Sequence, residues 1–367
     1  IHHRGDRSTF VADAVFCGAM WFLLASCSSS PPSDPPSPSE ASAGAASPAP
    51  ATPPPPAWAA DLHVDTLTEL GDRDTTFADP ALEAGIPALT AGGTTVIVNV
   101  LWPPRDGDHE PYTFAQLDRF EQQLRLAPVA ERMALARTPA EADAIVASGR
   151  IATLLALEGA HGIEVSGVEG LGRLHDRGLS MLGLAWSLSN RFAGSSGDGG
   201  GGLTPDGAAL LAAAQSLGVL IDLSHASRAT VLDACAITTA PLVASHSGAT
   251  AVNDVPRNLS AEEIACIARS DGVIGVNFHA PFVAAGPVGI PQVADQVDAL
   301  VKAAGIDHVG IGSDWDGDIQ APTGLASAAG LPGLWDELRR RGYDDAGLAK
   351  IRGGNFRRVW LAAQRSR

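Results

Sequence analysis

The sequence predicts a single (β/α)8 barrel of the TIM-like α/β class. Three observations predict it. Eight short apolar runs rich in β-branched residues recur from residue 60 onward, helix-like stretches separate them, and no glycine-rich nucleotide fingerprint follows the first run. Continuous apolar runs of this length suit parallel strands buried on both faces, and helices between them imply βα repeats. An open doubly wound sheet would more often carry G-x-G-x-x-G after its first strand. Neither that pattern nor a P-loop is present in such a context, and Gly199-Gly200-Gly201-Gly202, followed by Leu203, reads as a flexible βα loop.

In chain order, residues 1–27 read as an export signal. Arg4 and Arg7 precede a mostly apolar stretch from Phe10 to Ala25, and Leu24-Ala25-Ser26-Cys27 resembles the bacterial lipobox, with Cys27 as the lipidated residue. Residues 28–58 collapse to Ser, Pro and Ala and read as a disordered tether. Residues 59–367 remain for the barrel. Its apolar runs are Ala60 to Asp65, Thr94 to Leu101, Ile151 to Glu158, Ser180 to Trp186, Gly218 to His225, Leu242 to His246, Gly272 to Phe278 and His308 to Asp314. Helix starts are legible between them. Thr138 and Ser260 have Glu three residues on, the capping-box spacing, and Thr204-Pro205 places Pro at the first helical position.

Composition excludes several function classes. The 367 residues hold 25 Lys+Arg against 41 Asp+Glu, a net charge of -16, which makes a general nucleic-acid binder a poor reading. Four widely spaced Cys do not form a disulfide scaffold, and charges recur too often past residue 60 for a polytopic membrane protein. Cys235 and Cys266 fall in the helices after the fifth and sixth runs, where buried free thiols are the expectation and a disulfide the alternative.

In such barrels the chemistry sits at the C-terminal ends of the strands. Here the runs end in His63 and Asp65, then Asn99, Glu158, Trp186, His225, His246, Asn277 with His279, and Asp314. His63 and Asp65 are two apart, so in a strand both point to one face and can grip one ion. Glu158 could bridge two ions, with His225 and His246 completing the second site. Imidazole and carboxylate ligands together suit zinc, with manganese, iron or nickel as alternatives. Singly, a buried His is more often a hydrogen-bonded core residue. Jointly, five such residues at one barrel mouth need partners, and metal supplies them. His109, His161, His175 and His308 read as structural or solvated. The Asp314-Trp315-Asp316-Gly317-Asp318 stretch fails as a calcium loop, with Ile319 and Leu325 at the positions that need Gly and Glu.

These stretches resemble the membrane dipeptidase (renal dipeptidase) family of zinc peptidases among the amidohydrolase-like barrels. The matching segments are Asp61-Leu62-His63-Val64-Asp65, Ala156-Leu157-Glu158-Gly159-Ala160-His161, Ile221-Asp222-Leu223-Ser224-His225, Ala244-Ser245-His246-Ser247, Pro256-Arg257-Asn258-Leu259, Gly310-Ile311-Gly312-Ser313-Asp314-Trp315-Asp316-Gly317 and Gly353-Gly354-Asn355-Phe356. The resemblance runs from about residue 60 to 360. It implies two zinc ions, one on His63 and Asp65, the other on His225 and His246, with Glu158 between them. It further implies a metal-bridging hydroxide, Asp314 as its proton carrier and Arg257 as the binder of the substrate's terminal carboxylate. The implied activity is hydrolysis of dipeptides, with a D-residue at the C-terminal position among the candidates. Many members carry a His near the end of the fourth strand that contacts substrate. Trp186 stands there instead, which can donate a hydrogen bond and pack a side chain but cannot accept one. Asn190 is a substitute donor or a structural loop residue.

Two rival readings compete with this expectation. Another binuclear amidohydrolase would often bridge its metals with a carboxylated Lys, and this chain's Lys302 and Lys350 fall in helical stretches. A non-catalytic binding lipoprotein would need a decayed site, whereas the ligand set is complete. The expected protein is exported and lipid-anchored to a bacterial cell envelope, takes a small dipeptide, meets membrane only through its anchor, and leaves a homodimer open.

Overall fold

Eight parallel strands follow one another around a nearly closed barrel, with helices between them. The computed structural model describes residues 57–104 and 106–365, so the signal segment with Cys27 and the tether up to residue 56 lie outside the described residues. The strands are β1 (Ala60–Val64), β2 (Val96–Leu101), β3 (Met133–Leu135), β4 (Ile151–Leu157), β5 (Leu179–Gly183), β6 (Leu220–Asp222), β7 (Leu242–Ser247), β8 (Val273–Val276) and β9 (Val309–Ile311). They pair in the order β1-β2-β4-β5-β6-β7-β8-β9. The ring closes where Asp314 N donates to His63 O at 3.1 Å and Asp65 N to Trp315 O at 2.9 Å.

The ninth strand is absent from the eight apolar runs. β3 pairs with Ile151–Thr153, on the β4 edge that β5 occupies further along at Leu155–Leu157. Three residues, two of them only half-buried, leave no run to detect. The capping signals fare well. Thr204 and Ser260 accept from the main chain three residues on, and Ser260 with Glu263 forms a full capping box. At Thr138 only half the box forms, because the Glu141 carboxylate reaches Arg137 N instead.

Strand alternation sorts the core into two apolar sets. Ala60, Leu62, Val96, Val98, Val100, Ala152, Leu154, Ala156, Met181, Leu220, Val243 and Val273 form one cluster, the set that neighbouring strands share inside the ring. Residues of opposite parity, such as Ile97, Leu101, Leu155 and Leu157, pack outward with the helices. Gly310 supplies no side chain to the lumen, and Leu62 and Val273 lie against it. Continuing the inward parity along β4 leads from Ala152, Leu154 and Ala156 to Glu158, and along β6 from Leu220 to Asp222. Apolar alternation thus carries two carboxylates to the top of the lumen.

The opposite end is plugged by aromatic rings. Trp58, assigned above to the tether, is 4% exposed and packs on Phe356 and Trp360 of the helix Asn355–Arg365, with ring centroids 6.4 and 6.1 Å away. Its Nε1 donates to Asp143 Oδ1 at 2.8 Å. Packed structure therefore begins before residue 59. The composition around Trp58 conceals this, since a single aromatic in a Pro/Ala stretch carries no periodicity.

The free-thiol expectation is corrected as well. Cys235 and Cys266 are disulfide-bonded, with Cα atoms 6.1 Å apart. They lie on the helices Arg228–Ile237 and Ala261–Arg269, which follow adjacent strands β6 and β7 and pack side by side. Closing a loop of this separation, 31 residues, removes enough unfolded-chain entropy to stabilise the fold by roughly 3–4 kcal/mol.

Trp58→Ala should lower unfolding free energy by about 3–5 kcal/mol in urea titration, the usual cost of emptying a large buried aromatic site. A tether role predicts no change.

Candidate metal centre

Six side chains from five parts of the barrel converge at the C-terminal mouth. His63 and Asp65 come from the end of β1, Glu158 from the residue after β4, His225 from the turn after β6, His246 from β7 and Asp314 from the turn after β9. His63 Nε2 lies 3.5 Å from Asp65 Oδ2, 3.6 Å from Glu158 Oε1 and 3.8 Å from Asp314 Oδ1. His225 Nε2 and His246 Nε2 lie 3.0 and 3.5 Å from the same Glu158 oxygen. Within this set three overlapping groups could each hold an ion: His63, Asp65 and Glu158; Glu158, His225 and His246; His63, His246 and Asp314. Glu158 is common to the first two, the position of a bridge.

The donor chemistry fits cations. His63 Nε2 is fully buried and has no hydrogen-bond partner. The Nε2 atoms of His225 and His246 face each other at 3.0 Å. Two imine lone pairs at that distance repel unless a proton or a cation lies between them. The carboxylates Asp65 and Glu158 are buried within the same set, and charges are almost never buried without compensation.

Protonation behaviour reflects the same crowding. For His63, burial opposes the charged form, but the Glu158 and Asp65 carboxylates outweigh it and hold the imidazole well above its ordinary value. Burial, reinforced by the Glu158 charge, pushes Asp65 well up. Glu158 goes down despite its burial, because His63 and His225 surround it. Burial lowers His225 and His246, with the Arg257 charge acting in the same direction, which favours the neutral rings that metal ligation requires.

Local backbone helps to aim the ligands. His225 and Asp314 hold positive φ of 66° and 71°, a region non-glycine residues rarely adopt. These reversals cut β6 and β9 to three residues each, shorter than the apolar runs that announced them. Asn277 Nδ2 donates to Asp314 Oδ2 at 3.0 Å, leaving Oδ1 toward His63 and His246. Asn277 stood among the strand-end residues but was given no role from sequence.

Arg257 reaches the same mouth. Its guanidinium donates to His246 O at 2.8 Å and Ser247 Oγ at 3.1 Å, while Nε is buried without a partner. Burial lowers its pKa, against the opposing pull of Asp314 and Glu158. Trp186 sits three residues beyond β5, with its ring 6.3 Å from that of His225. Trp102 meets it edge-on at 5.1 Å and His161 stacks at 6.3 Å. His161, read from sequence as structural or solvated, is buried and bonds Pro103 O at 3.1 Å, so it belongs to the wall beside the centre. Gly159 leaves room for it, since a Cβ there would fall 2.4 Å from the His161 ring. His279 accepts from Gln320 N and meets Phe282 edge-on, a structural role.

Asn190 spends its amide on its own loop. Nδ2 donates to Leu184 O at 2.9 Å, and Oδ1 accepts from Phe192 N and Ala193 N at 2.8 and 3.2 Å. This favours the structural reading over a substrate donor.

The model for membrane dipeptidases, peptidase family M19, matches residues 57–367. The chain belongs to the membrane dipeptidase family. It is 35% identical over 234 residues to the dipeptidase verJ of Clonostachys rogersoniana, spanning 62% of this chain but only 60% of that protein. It is 34% identical to an uncharacterized protein of the pqqA 5' region in Klebsiella pneumoniae, over 69% of this chain and 96% of that protein. Among solved structures, it is similar to a metallo peptidase from Rhodobacter sphaeroides liganded with a phosphinate mimic of the dipeptide L-Ala-D-Ala. The TM-score is 0.76 at 28% identity, covering 83% of this chain and 99% of that one. Dipeptidase AC, also assigned to family M19, gives 0.75 at 29% identity, with 83% and 98% covered.

Asn190→Ala should cost about 1–3 kcal/mol of stability by leaving buried main-chain groups unpaired, with bound metal unchanged by elemental analysis. A substrate-binding role instead predicts a raised KM at full stability.

Proposed function

We propose that this membrane dipeptidase family member is a metal-dependent dipeptidase with two zinc ions, acting on dipeptides that include a D-residue at the C-terminal position. The observation that carries this reading is the contact of three imidazole nitrogens with one Glu158 oxygen, inside a set of six ligand-type side chains. The phosphinate dipeptide mimic held by the Rhodobacter neighbour supports the substrate class and the D-residue.

His63 and Asp65 would hold one ion, His225 and His246 the other, with Glu158 bridging. Two such cations lower the pKa of a shared water and polarise a carbonyl. The chain's own residues supply the rest. Asp314, steadied by Asn277 at Oδ2, keeps Oδ1 at the centre, where it can carry a proton from the attacking water to the leaving amine. Arg257 offers a planar fork that matches a carboxylate in a way Lys would not, and its buried, unpartnered Nε is a donor in waiting. Trp186 and the rings around it form an apolar wall on the His225 side, which restricts the substrate side chain and excludes water.

A decayed binding scaffold would not keep Asp314 among the ligands, and the placement of Asp314 argues against it. We further propose export and lipid attachment through Cys27, and the disulfide between Cys235 and Cys266 supports an oxidising compartment. Among the described residues no helix is long and apolar enough to cross a membrane.

The full chain should contain two zinc ions and cleave dipeptides, and chelation should abolish cleavage until zinc is restored. In Glu158→Gln, metal affinity should fall by at least the factor typical of outer-shell changes, about 10–100-fold, with cleavage lost alongside. Full metal content and activity in that variant would refute the bridging role. No metal-dependent cleavage by the wild type would refute the function.

A further inference from the structure

Beneath the two ligand groups lies one hydroxyl that touches both. Ser245 Oγ is 3.1 Å from His63 Nδ1 and 2.8 Å from His246 Nδ1, and it donates to Asp222 Oδ2. All four residues are buried, with Ser245 and His63 at 0% exposure. Asp222 accepts two further bonds at Oδ1, from Ser224 N at 3.0 Å and Ser245 N at 2.8 Å. Every contact of this carboxylate is therefore as an acceptor.

The hydrogen bond to Asp222 sets the proton count. A hydroxyl has a single hydrogen and two lone pairs. With its hydrogen on Asp222, Ser245 Oγ can only accept from the two rings. Both Nδ1 atoms must then carry hydrogen, so in the neutral rings that metal ligation requires both Nε2 atoms present lone pairs to the centre. A longer contact to Ser224 Oγ, 3.4 Å, is the weaker alternative for the hydroxyl hydrogen. Ring nitrogens of metal-ligating His are ordinarily fixed one by one, each by its own outer partner. Here one side chain fixes a ring from each ion's ligand group, through a bulged β7 whose Ser245 carbonyl nestles against Gly275 and Gly312. A Cβ on either glycine would fall within 2 Å of that oxygen, at 1.9 and 1.7 Å respectively.

We propose that Ser245, aimed by Asp222, is a positioning residue shared by both metal sites, holding His63 and His246 in the tautomer that can ligate. This inference rests on the two-ion reading above. It assigns Asp222 and Ser245 a role in metal uptake and leaves them outside the reacting groups.

The test is zinc competition against a chromophoric chelator, starting from metal-free full-length chain, with apo-protein folding followed by circular dichroism. Asp222→Asn is isosteric and keeps an oxygen for both main-chain N–H groups, but turns an NH2 onto Ser245 Oγ. The hydroxyl hydrogen must then move, and its nearest acceptors are the two ring nitrogens. One ring is forced to carry its hydrogen at Nε2, so at least one zinc should bind about 10–100-fold more weakly. Ser245→Ala removes the anchor from both rings, and both ions should weaken by that factor. In zinc-loaded wild type, imidazole 15N spectra should report Nδ1–H for His63 and His246. Wild-type affinity for both ions in Asp222→Asn overturns the proposal, as does a loss confined to one ion in Ser245→Ala. If Ser245→Ala does not fold, Asp222→Asn decides alone. Fewer than two zinc ions on the wild type would instead sink the two-ion reading itself.

Discussion

One oxygen of Glu158 takes contacts from three imidazole nitrogens, at 3.0, 3.5 and 3.6 Å, at the top of a closed apolar lumen. His63, His246, Asp65 and Glu158 are buried, and His225 and Asp314 are partly so. Isolated, such groups would neutralise or pull water in; together with cations they form a compensated cluster. The rest of the barrel can be understood as what holds that arrangement still. The ligands come from strand ends and from the turns just beyond them, so the ring of strands sets where each side chain starts.

The support is graded from the bottom of the barrel upward. Trp58, Phe356 and Trp360 close the lower end with apolar surface. Above them the lumen is Ala, Val, Leu and Met, packed without polar groups until the strand ends. The next layer is polar and fully buried: Asp61 accepts from Ser313 N and His63 N, and Asp222 holds Ser245. Burial pushes Asp61 up to about 6, partly offset by those bonds. Only above this layer do the ligand atoms meet. On the outer side, Asp316 accepts from Thr66 Oγ1 at 2.7 Å and Glu83 N at 2.8 Å, tying the turn that carries Asp314 to the segment before the second strand. The Asp-rich stretch that superficially resembles a calcium loop is therefore a clasp.

Much of this was legible in the sequence, for physical reasons that differ by residue. The eight strands announce themselves because a strand buried on both faces must be continuously apolar. Glu158, His225, His246 and Asp314 stand out because a charged or polar residue ends each such run. The structure brings all of them within contact of His63, directly or through Glu158. What the sequence hid depends on distance or on single residues. The disulfide needs a separation that no spacing reports. Trp58 carries no periodicity, and β3 is too short to make a run. Ser245 and Asp222 sit inside quoted motifs, yet a Ser beside a ligand His has no signature until its hydroxyl is seen between two rings. His161, structural or solvated by its sequence, is structural: three residues past Glu158 on the same motif, it is buried and bonded to Pro103 O.

The most direct test of the central claim is a crystal structure of the zinc-loaded full chain with anomalous scattering recorded at the zinc edge. Two peaks about 3.5–4 Å apart, the usual spacing of a two-metal site, are predicted on either side of Glu158. One should lie against His63 and Asp65, the other against His225 and His246. A single peak, or peaks away from Glu158, would contradict it.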